Sequence, residues 1–361
     1  MSFNQAQQEA VSHNEGPCLV LAGPGSGKTL TIVGRIQKLI QTYHVRPEEI
    51  LVITFTNMLA VEMKNRIFFQ RCKGTRPSVT FGTFSWNLLW EFLKWAYRFG
   101  PENILSEEEK RQMLLQIVNR KEIDEFEEED FLKEIISEIG IVKNNGLKIE
   151  EYETTICGKE TFREIYREYE RKRNEERKID FDDMLLLCRD LFIKRPDILK
   201  KWQEKFRYIL IDEFQDINQV QYDVIRMLAA PENNLFVVGD DDQSIYGFRG
   251  ADSRLMFQFQ KDFPDAKQLL LDVNYRSSKN IVKNSLKVIA NNEVRFDKKS
   301  PGMERKWETL HVQEVKIRWR KLLMWWKQIK NRWKARILAE EIASTLSCSH
   351  RCEGGCGSSD R

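Results

Sequence analysis

Six short apolar segments recur along the chain, and each is followed by glycine, acidic or other polar residues. They are residues 18–22, 50–55, 79–84, 208–212, 235–240 and 268–273. Each is too short for a buried helix and most are rich in Val, Ile or Phe, so they are predicted to be strands buried on both faces of a parallel sheet. Helical patterns lie between them, for example at 28–42, 57–71 and 220–228. The alternation predicts βαβ units and a doubly wound α/β domain.

Residues 85–178 interrupt this alternation, because their pattern is almost entirely helical. The segment contains an acidic stretch at 125–130 and a helix of mixed charge at 163–178. Mixed charge runs of this kind usually form the solvated face of a helix. We therefore predict a helical insertion within the α/β domain.

The composition is that of a globular protein. The 361 residues are 41% hydrophobic and 31% charged, which is enough apolar material for a core and compatible with two or three domains. No stretch approaches the roughly 20 apolar residues that span a bilayer, and the N-terminus lacks the order of a signal peptide. Four scattered cysteines fit a reducing compartment. We expect a cytoplasmic protein with no membrane partner.

The net charge of +3 comes from the end of the chain. Residues 301–361 hold 13 Lys and Arg against 7 Asp and Glu, and five of the nine tryptophans lie between Trp307 and Trp333. This tail is either a basic aromatic helix that binds nucleic acid or a membrane surface, or the product of a frameshifted or prematurely ended gene. The abrupt change of composition after Lys299 favours the second interpretation.

Three cysteines and a histidine crowd the end of this tail. They are Cys348, His350, Cys352 and Cys356. Their spacing matches no ordinary zinc finger, and glycines and serines surround them, so a disordered tail is favoured over a metal site.

A glycine-rich segment follows the first predicted strand and opens a helix. It is Ala22-Gly23-Pro24-Gly25-Ser26-Gly27-Lys28-Thr29, in which Ala22 stands where the usual P-loop pattern has glycine. Glycines let several N–H groups point at one phosphate, and the helix N-terminus adds positive charge. Lys28 is expected to reach the β and γ phosphates and Thr29 to ligate Mg²⁺. The segment predicts a site for a nucleoside triphosphate, and we expect ATP.

Two further strands end in acidic clusters. The strand at 208–212 ends in Asp212 and Glu213, which is the form of a Walker B element. Asp212 is expected to hold Mg²⁺, and Glu213 to orient or deprotonate the attacking water. After the strand at 235–240, Gln243 offers an uncharged amide that could sense the γ-phosphate. Together with the glycine-rich segment, these make three elements that end strands on the side where α/β sheets bind ligands.

The order of these segments resembles the UvrD/PcrA/Rep group of superfamily 1 DNA helicases over residues 3–296. The resemblance rests on Phe3-Asn4-x-x-Gln7-x-x-Ala10-Val11, Thr54-Phe55-Thr56-Asn57, Gly82-Thr83-Phe84, Asp212-Glu213-Phe214-Gln215-Asp216, Gly239–Ala251 and Asn274-Tyr275-Arg276-Ser277. It implies a RecA-like P-loop fold and an enzyme that uses ATP and Mg²⁺ to translocate 3′ to 5′ on single-stranded DNA and to separate duplexes at junctions.

The resemblance also implies roles for individual residues. Gln7 would read the adenine edge, Tyr275 would stack on the base, and Arg276 would touch the γ-phosphate from a second motor lobe. A single-strand track would be lined by Phe55, Asn57, Thr83, Tyr246, Phe248 and Arg249. Aromatic faces stack on any base without sequence preference. Core packing is the alternative for Phe55 and Phe84, and also for Tyr246 and Phe248.

The resemblance further divides the chain. It implies an ATP-binding lobe at 1–84 and 179–272, an inserted helical subdomain at 85–178, the start of a second lobe at 273–300, and the atypical tail at 301–361. We find no counterpart of the second lobe's later motifs, which supply another arginine to the γ-phosphate. The expected protein is a monomeric ATP-dependent DNA helicase, and the alternative is a non-catalytic module that binds ATP or DNA.

Overall fold

Six parallel strands form the central sheet in the computed structural model, which describes residues 3–69, 78–83, 86–93, 96–97, 99–120, 128–292, 295–296, 298 and 302–303. The strands are β1 Cys18–Ala22, β2 Ile50–Ile53, β3 Thr80–Gly82, β4 Tyr208–Ile211, β5 Leu235–Gly239 and β6 Lys267–Leu271. They lie in the order β3-β2-β4-β5-β1-β6. The predicted parallel sheet is therefore confirmed, and all six strands present their carboxyl ends at one edge.

Twelve α-helices belong to the described residues. They are α1 Gln5–Ser12, α2 Lys28–Gln41, α3 Asn57–Phe69, α4 Trp86–Leu93, α5 Glu107–Asn119, α6 Glu128–Asn144, α7 Lys159–Glu175, α8 Phe181–Lys194, α9 Pro196–Lys205, α10 Gln219–Ala229, α11 Leu255–Asp262 and α12 Lys279–Ile289. Among these, no helix combines the length and the apolar character needed to cross a membrane.

Both faces of the sheet are buried at its four central strands, β2, β4, β5 and β1, which explains why these strands are apolar throughout. In β1, Leu19 and Leu21 pack on one side with residues of α8, α10 and α11, whereas Cys18 and Val20 pack on the other side with residues of α2. Successive side chains of a strand point to opposite faces, so a strand covered on both sides cannot alternate with polar residues. Leu19 is fully buried, which contributes about 2 kcal/mol of transfer free energy.

The end of β2 differs from the sequence prediction. The strand stops at Ile53, and Phe55 lies beyond it. The Thr56 hydroxyl accepts the N–H of Leu59 at 3.2 Å, so the backbone has already turned to begin α3. This turn carries Phe55 out of the sheet and toward the edge where the strands end.

The segment between β3 and α8 is helical in its described part, as predicted. Helices α5, α6 and α7 enclose a core of their own, which includes Leu114, Ile135, Ile139 and Ile165. In contrast, α4 packs on α8 and contributes Phe92 to the core of the sheet. The insertion therefore joins the α/β layers through α4 before it forms a separate helical core.

The chain after β6 crosses the carboxyl edge of the sheet. Strand β7, Asn274–Ser278, pairs with the short β8, Gly302–Met303, and α12 follows β7 directly. Most of the predicted tail at 301–361, including its cysteines, lies outside the described residues.

Candidate functional site

The loop between β1 and α2 curls back on its own backbone. Gly25 and Gly27 have φ values of +66° and +89°, in the left-handed region that glycine enters without steric cost. The buried Ser26 hydroxyl donates to the carbonyl of Gly23 at 2.7 Å. Helix α2 begins at Lys28 without a side-chain cap. Its first N–H groups therefore remain for an anion, as expected of a phosphate-binding loop.

The other residues of the predicted loop occupy the positions that the pattern requires. Ala22 is the buried last residue of β1, Pro24 is exposed, and Thr29 is half-buried in the first turn of α2. Ala22 has the extended backbone of a strand and therefore does not need to be glycine. The left-handed backbone conformations of the loop occur at Gly25 and Gly27.

Gln7, in helix α1, contacts this loop. Its amide donates to the carbonyl of Ser26 at 2.9 Å, and a Cβ added to Gly27 would lie 2.7 Å from the Gln7 Nε2 atom. The left-handed backbone conformation disfavours a side chain at position 27, and a side chain there would also displace the Gln7 amide. The structure thus brings the predicted base-reading glutamine to the glycine-rich loop, where it contacts the backbone.

Strand β7 contacts the same loop. The N–H of Tyr275 donates to the carbonyl of Gly25 at 2.9 Å, and a Cβ added to Gly25 would lie 2.6 Å from Cβ of Arg276. The Tyr275 hydroxyl accepts a 2.7 Å hydrogen bond from the Asn4 amide. Asn274, which is buried, accepts the N–H of Arg276 at 2.9 Å. Both Tyr275 and Arg276 are exposed beside the loop.

The acidic pair after β4 faces the P-loop lysine. The Lys28 ammonium lies 2.8 Å from Oε2 of Glu213, and the two side chains are 11% and 25% exposed. Glu213 adopts a left-handed backbone conformation with φ +52°, which costs a non-glycine residue about 1–2 kcal/mol. Asp212 anchors this turn by accepting the Glu213 N–H at 3.0 Å. The strained turn directs the Glu213 carboxylate toward Lys28.

Asp212 is almost fully buried at the end of β4. Burial raises the pKa of its carboxyl group to about 7, the negative charge of Glu213 acts in the same direction, and Lys28 opposes both. Desolvation disfavours a lone buried carboxylate, whereas a bound cation would favour it. The site thus contains a buried acid whose ionised form would be stabilised by a positive charge.

Gln215 links the two acidic strand ends, and sequence reasoning did not single it out. Its amide nitrogen donates to Glu213 at 3.0 Å, while its oxygen accepts the N–H of Asp240 at 2.9 Å. A Cβ added to Gly239 would lie 2.8 Å from that oxygen and 3.2 Å from the Gln215 backbone nitrogen, so a larger residue at the end of β5 would displace Gln215. The Gln243 amide, predicted to sense the γ-phosphate, donates to Asp240. The only sequence signal for Gln215 was its position between the two acids of the motif.

A lysine from the end of the described chain neutralises the acids after β5. Lys298 forms ion pairs with Asp240, Asp241 and Asp242, the last at 3.1 Å, and its side chain is 6% exposed. Arg295 pairs with Asp242 at 2.9 Å. The three carboxylates lie close enough to share a cation. In this structure that cation is the ammonium group of Lys298.

A row of aromatic side chains lies at the carboxyl edge of the sheet, the edge that also carries the glycine-rich loop. The rings of Phe55 and Tyr246 have centroids 4.4 Å apart, and Tyr246 is followed by Phe248 at 5.9 Å. The Arg249 guanidinium lies 5.7 Å from the centroid of the Phe248 ring. Phe248 is 58% exposed, so it presents an aromatic face to solvent. The structure thus brings together four residues that were predicted to line one track.

The two remaining predicted track residues contact each other. The Thr83 hydroxyl donates to the side-chain oxygen of Asn57 at 3.4 Å, and Thr83 is buried whereas Asn57 is exposed. Phe84 lies outside the described residues. The hydrogen bond therefore ties the residue after β3 to the start of α3, two positions after Phe55.

The fold and this site define a P-loop protein of the RecA-like α/β class. The family model of the UvrD/REP helicase N-terminal domain matches residues 3–264. The chain belongs to the UvrD/REP helicase family, whose members are enzymes.

Individual relatives agree with this assignment. The chain is 40% identical to YjcD of Bacillus subtilis (strain 168) over 305 residues, which are 82% of this chain and 40% of the relative. It is 36% identical to the ATP-dependent DNA helicase PcrA of Leuconostoc citreum over 302 residues, 82% of this chain and 40% of the relative. PcrA of Staphylococcus aureus (strain Mu50 / ATCC 700699) is 36% identical over 324 residues, 87% and 43% respectively. The chain spans about two fifths of the length of these relatives.

Proposed function

We propose that the chain is the ATP-binding motor region of an ATP-dependent DNA helicase, which couples ATP hydrolysis to 3′-to-5′ movement along single-stranded DNA. The observation that carries the proposal is the Lys28–Glu213 ion pair at 2.8 Å. It joins a phosphate-binding loop to an acidic strand end, and an exposed aromatic row lies on the same sheet edge. Relatives named ATP-dependent DNA helicase support the proposal.

The loop 22–29 would bind the phosphates of ATP. Backbone N–H groups at the start of α2 supply hydrogen bonds, and the Lys28 ammonium supplies charge to the β and γ phosphates. When Lys28 exchanges Glu213 for a phosphate, the Glu213 carboxylate is left to accept a proton from the attacking water. Gln215 keeps that carboxylate oriented, because its amide donates to the same oxygen that Lys28 contacts.

Asp212 and Thr29 are the proposed ligands of Mg²⁺. The residues fit the ion, since Asp212 is a buried acid that forms no ion pair with any residue of the described part of the chain, and Thr29 offers a hydroxyl in the first turn of α2. Bound magnesium neutralises charge on the phosphates during phosphoryl transfer. The Glu213 N–H holds one Asp212 oxygen at 3.0 Å, which fixes the orientation of the carboxyl group.

The base and the γ-phosphate would be contacted by residues that lie beside the loop. We propose that Tyr275 stacks on adenine and Gln7 binds its edge, since both already contact the loop. Asn4 joins them by holding the Tyr275 hydroxyl. Arg276, exposed next to Gly25, would reach the γ-phosphate, and Gln243 would respond to it through Asp240.

Single-stranded DNA would lie along the aromatic row. Phe55, Tyr246 and Phe248 offer stacking faces, each worth about 1–3 kcal/mol per base. Arg249 adds positive charge beside Phe248, and Asn57, two positions after Phe55, pairs with Thr83. Exposure of Phe248 supports this use over core packing.

The wider assignments are also proposals. We propose a monomer that acts in the cytoplasm on junctions of single- and double-stranded DNA. We further propose that the ATP-binding lobe comprises residues 1–84 and 179–272, that 85–178 is its inserted helical subdomain, and that 273–300 begins a second lobe.

Binding of a fluorescent ATP analogue to the Lys28→Ala variant tests the nucleotide site. Loss of a charge-assisted hydrogen bond is expected to weaken binding by roughly 10- to 100-fold. Lys38→Ala, at the other end of α2, is the matched control and should bind like the parent. If Lys28→Ala binds the analogue as tightly as the parent does, the site assignment is wrong.

A further inference from the structure

Helix α6 of the insertion contacts the aromatic row at its most exposed point. The Ser137 hydroxyl donates to the main-chain carbonyl of Phe248 at 3.2 Å. Phe248 is the centre of a short helical turn, Gly247–Arg249, which presents its ring to solvent. The contact therefore restrains the backbone that aims this ring.

Two turns further along α6, Asn144 supports the other end of the same turn. Gly250, which follows Arg249, has φ +81° and is buried. A Cβ at this position would lie 3.0 Å from Cβ of Asn144. Residues seven apart lie on the same face of a helix, so Ser137 and Asn144 contact the two ends of the turn from one side.

Asn144 also reaches the chain that leaves the acidic strand β4. Its side-chain oxygen accepts a 2.9 Å hydrogen bond from Asn218, which caps α10. Ile217, the preceding residue, accepts the N–H of Asp252 at 3.0 Å. One asparagine thus contacts both the segment after Glu213 and the segment after the aromatic turn.

The end of α6 is itself firmly anchored. Lys143, next to Asn144, is fully buried and forms ion pairs with Asp183 at 2.7 Å, Glu170 at 2.8 Å and Asp180 at 3.1 Å. The Asn144 amide donates to Asp182 at 2.9 Å. A buried, multiply paired charge is costly to displace, so this end of the helix provides a fixed support.

We propose that Ser137 and Asn144 are positioning residues, through which the helical insertion holds the Gly247–Arg249 turn so that Phe248 can stack on a base of single-stranded DNA. The inference rests on the proposed DNA track and adds the insertion to it. Neither residue has to touch the DNA. The insertion then contributes to binding by restraining the loop before the strand arrives, which lowers the ordering cost of the complex.

Binding of fluorescein-labelled oligothymidylate to the full chain tests the proposal. Ser137→Ala removes the hydrogen bond to the Phe248 carbonyl, and Asn144→Ala removes the hydrogen bonds to Asn218 and Asp182 that hold position 144 against Gly250. We expect each variant to weaken binding by about three- to tenfold, the equivalent of one net hydrogen bond. Ser137→Thr, which keeps the hydroxyl, should restore parental affinity. Asn119→Ala, an exposed asparagine at the end of α5, is the matched control and should bind like the parent.

A second probe separates positioning from general damage. An abasic oligomer has the phosphates but no bases to stack. Its affinity should therefore be lower than that of oligothymidylate, and it should be the same for the parent and for both alanine variants. The proposal is overturned if the alanine variants bind oligothymidylate like the parent, if they lose both probes equally, or if Ser137→Thr fails to rescue. If the parent protein binds neither oligothymidylate nor a fluorescent ATP analogue, the proposed function itself is contradicted.

Discussion

Replacing Asp212 with Asn should stabilise the nucleotide-free protein at high pH. The carboxyl group is 3% exposed, and burial raises its pKa from 3.8 to about 7. Asn has nearly the same shape and keeps an oxygen to accept the Glu213 N–H. The substitution therefore removes the ionisation and leaves the hydrogen bond that anchors the turn.

The sign follows from the raised pKa. Between pH 3.8 and about 7 the unfolded chain has released this proton while the folded protein retains it, so the stability that the group contributes falls as pH rises and is lost once pH passes about 7. Each pH unit in this window is worth about 1.4 kcal/mol. From pH 5 to pH 8 the parent should lose on the order of 2–3 kcal/mol relative to Asp212→Asn.

Urea unfolding in the presence of a chelator measures this difference. The free energy of unfolding of both proteins is determined at pH 5 and pH 8, with Asp265→Asn as a control because Asp265 is exposed. A gap between parent and Asp212→Asn that stays constant or narrows toward pH 8 would refute the reasoning. The control should show no widening.

Two other substitutions test neighbouring parts of the site. Lys298→Met leaves Asp240 and Asp241 without their buried counter-charge, while Asp242 keeps Arg295, and should lower the free energy of unfolding in urea by about 3 kcal/mol. Lys287→Met on the exposed side of α12 should have little effect. Equal effects of the two substitutions would show that the cluster does not depend on Lys298. Phe248→Ala should weaken oligothymidylate binding roughly fivefold or more in fluorescence anisotropy and leave stability unchanged, since the ring is 58% exposed; unchanged affinity would remove Phe248 from the track.

The sheet could be predicted because its physics is local. A strand buried on both faces has to be apolar along its whole length, and β1, β4 and β5 each show such a run before a glycine or acidic turn. The phosphate-binding loop was also readable, since Gly25 and Gly27 occupy the left-handed positions that the pattern implies. Where Phe55 was placed in the strand, the capping of α3 by Thr56 proved the stronger preference.

Contacts between distant segments could not be predicted from periodicity. Asn4 and Tyr275 are 271 positions apart, and nothing in either segment indicates that their side chains meet. The same holds for Lys298, which belongs to no motif of the sequence and pairs with the acids after β5. Gln215 was visible inside its motif, but its role as a bridge depends on the order of strands in the sheet.

The packing partners of the insertion's helices could not be predicted from the sequence either. A helical block at 85–178 was expected, yet nothing in its pattern showed that α4 would join the core of the sheet while α5, α6 and α7 formed their own. Amphipathic helices show that they bury one face and do not show against which partner. The contact from Ser137 to the Phe248 carbonyl is of this kind.

ATP turnover by the full chain, with and without oligothymidylate, tests the central claim most directly. The Glu213→Gln variant, which keeps a side chain of similar size but cannot take a proton from water, is the control for chemistry at this site. We predict that the parent hydrolyses ATP, that turnover rises severalfold with the single strand, and that Glu213→Gln binds nucleotide without turnover. A parent that binds ATP but shows no turnover with or without DNA would contradict the motor assignment and leave a nucleotide-binding module.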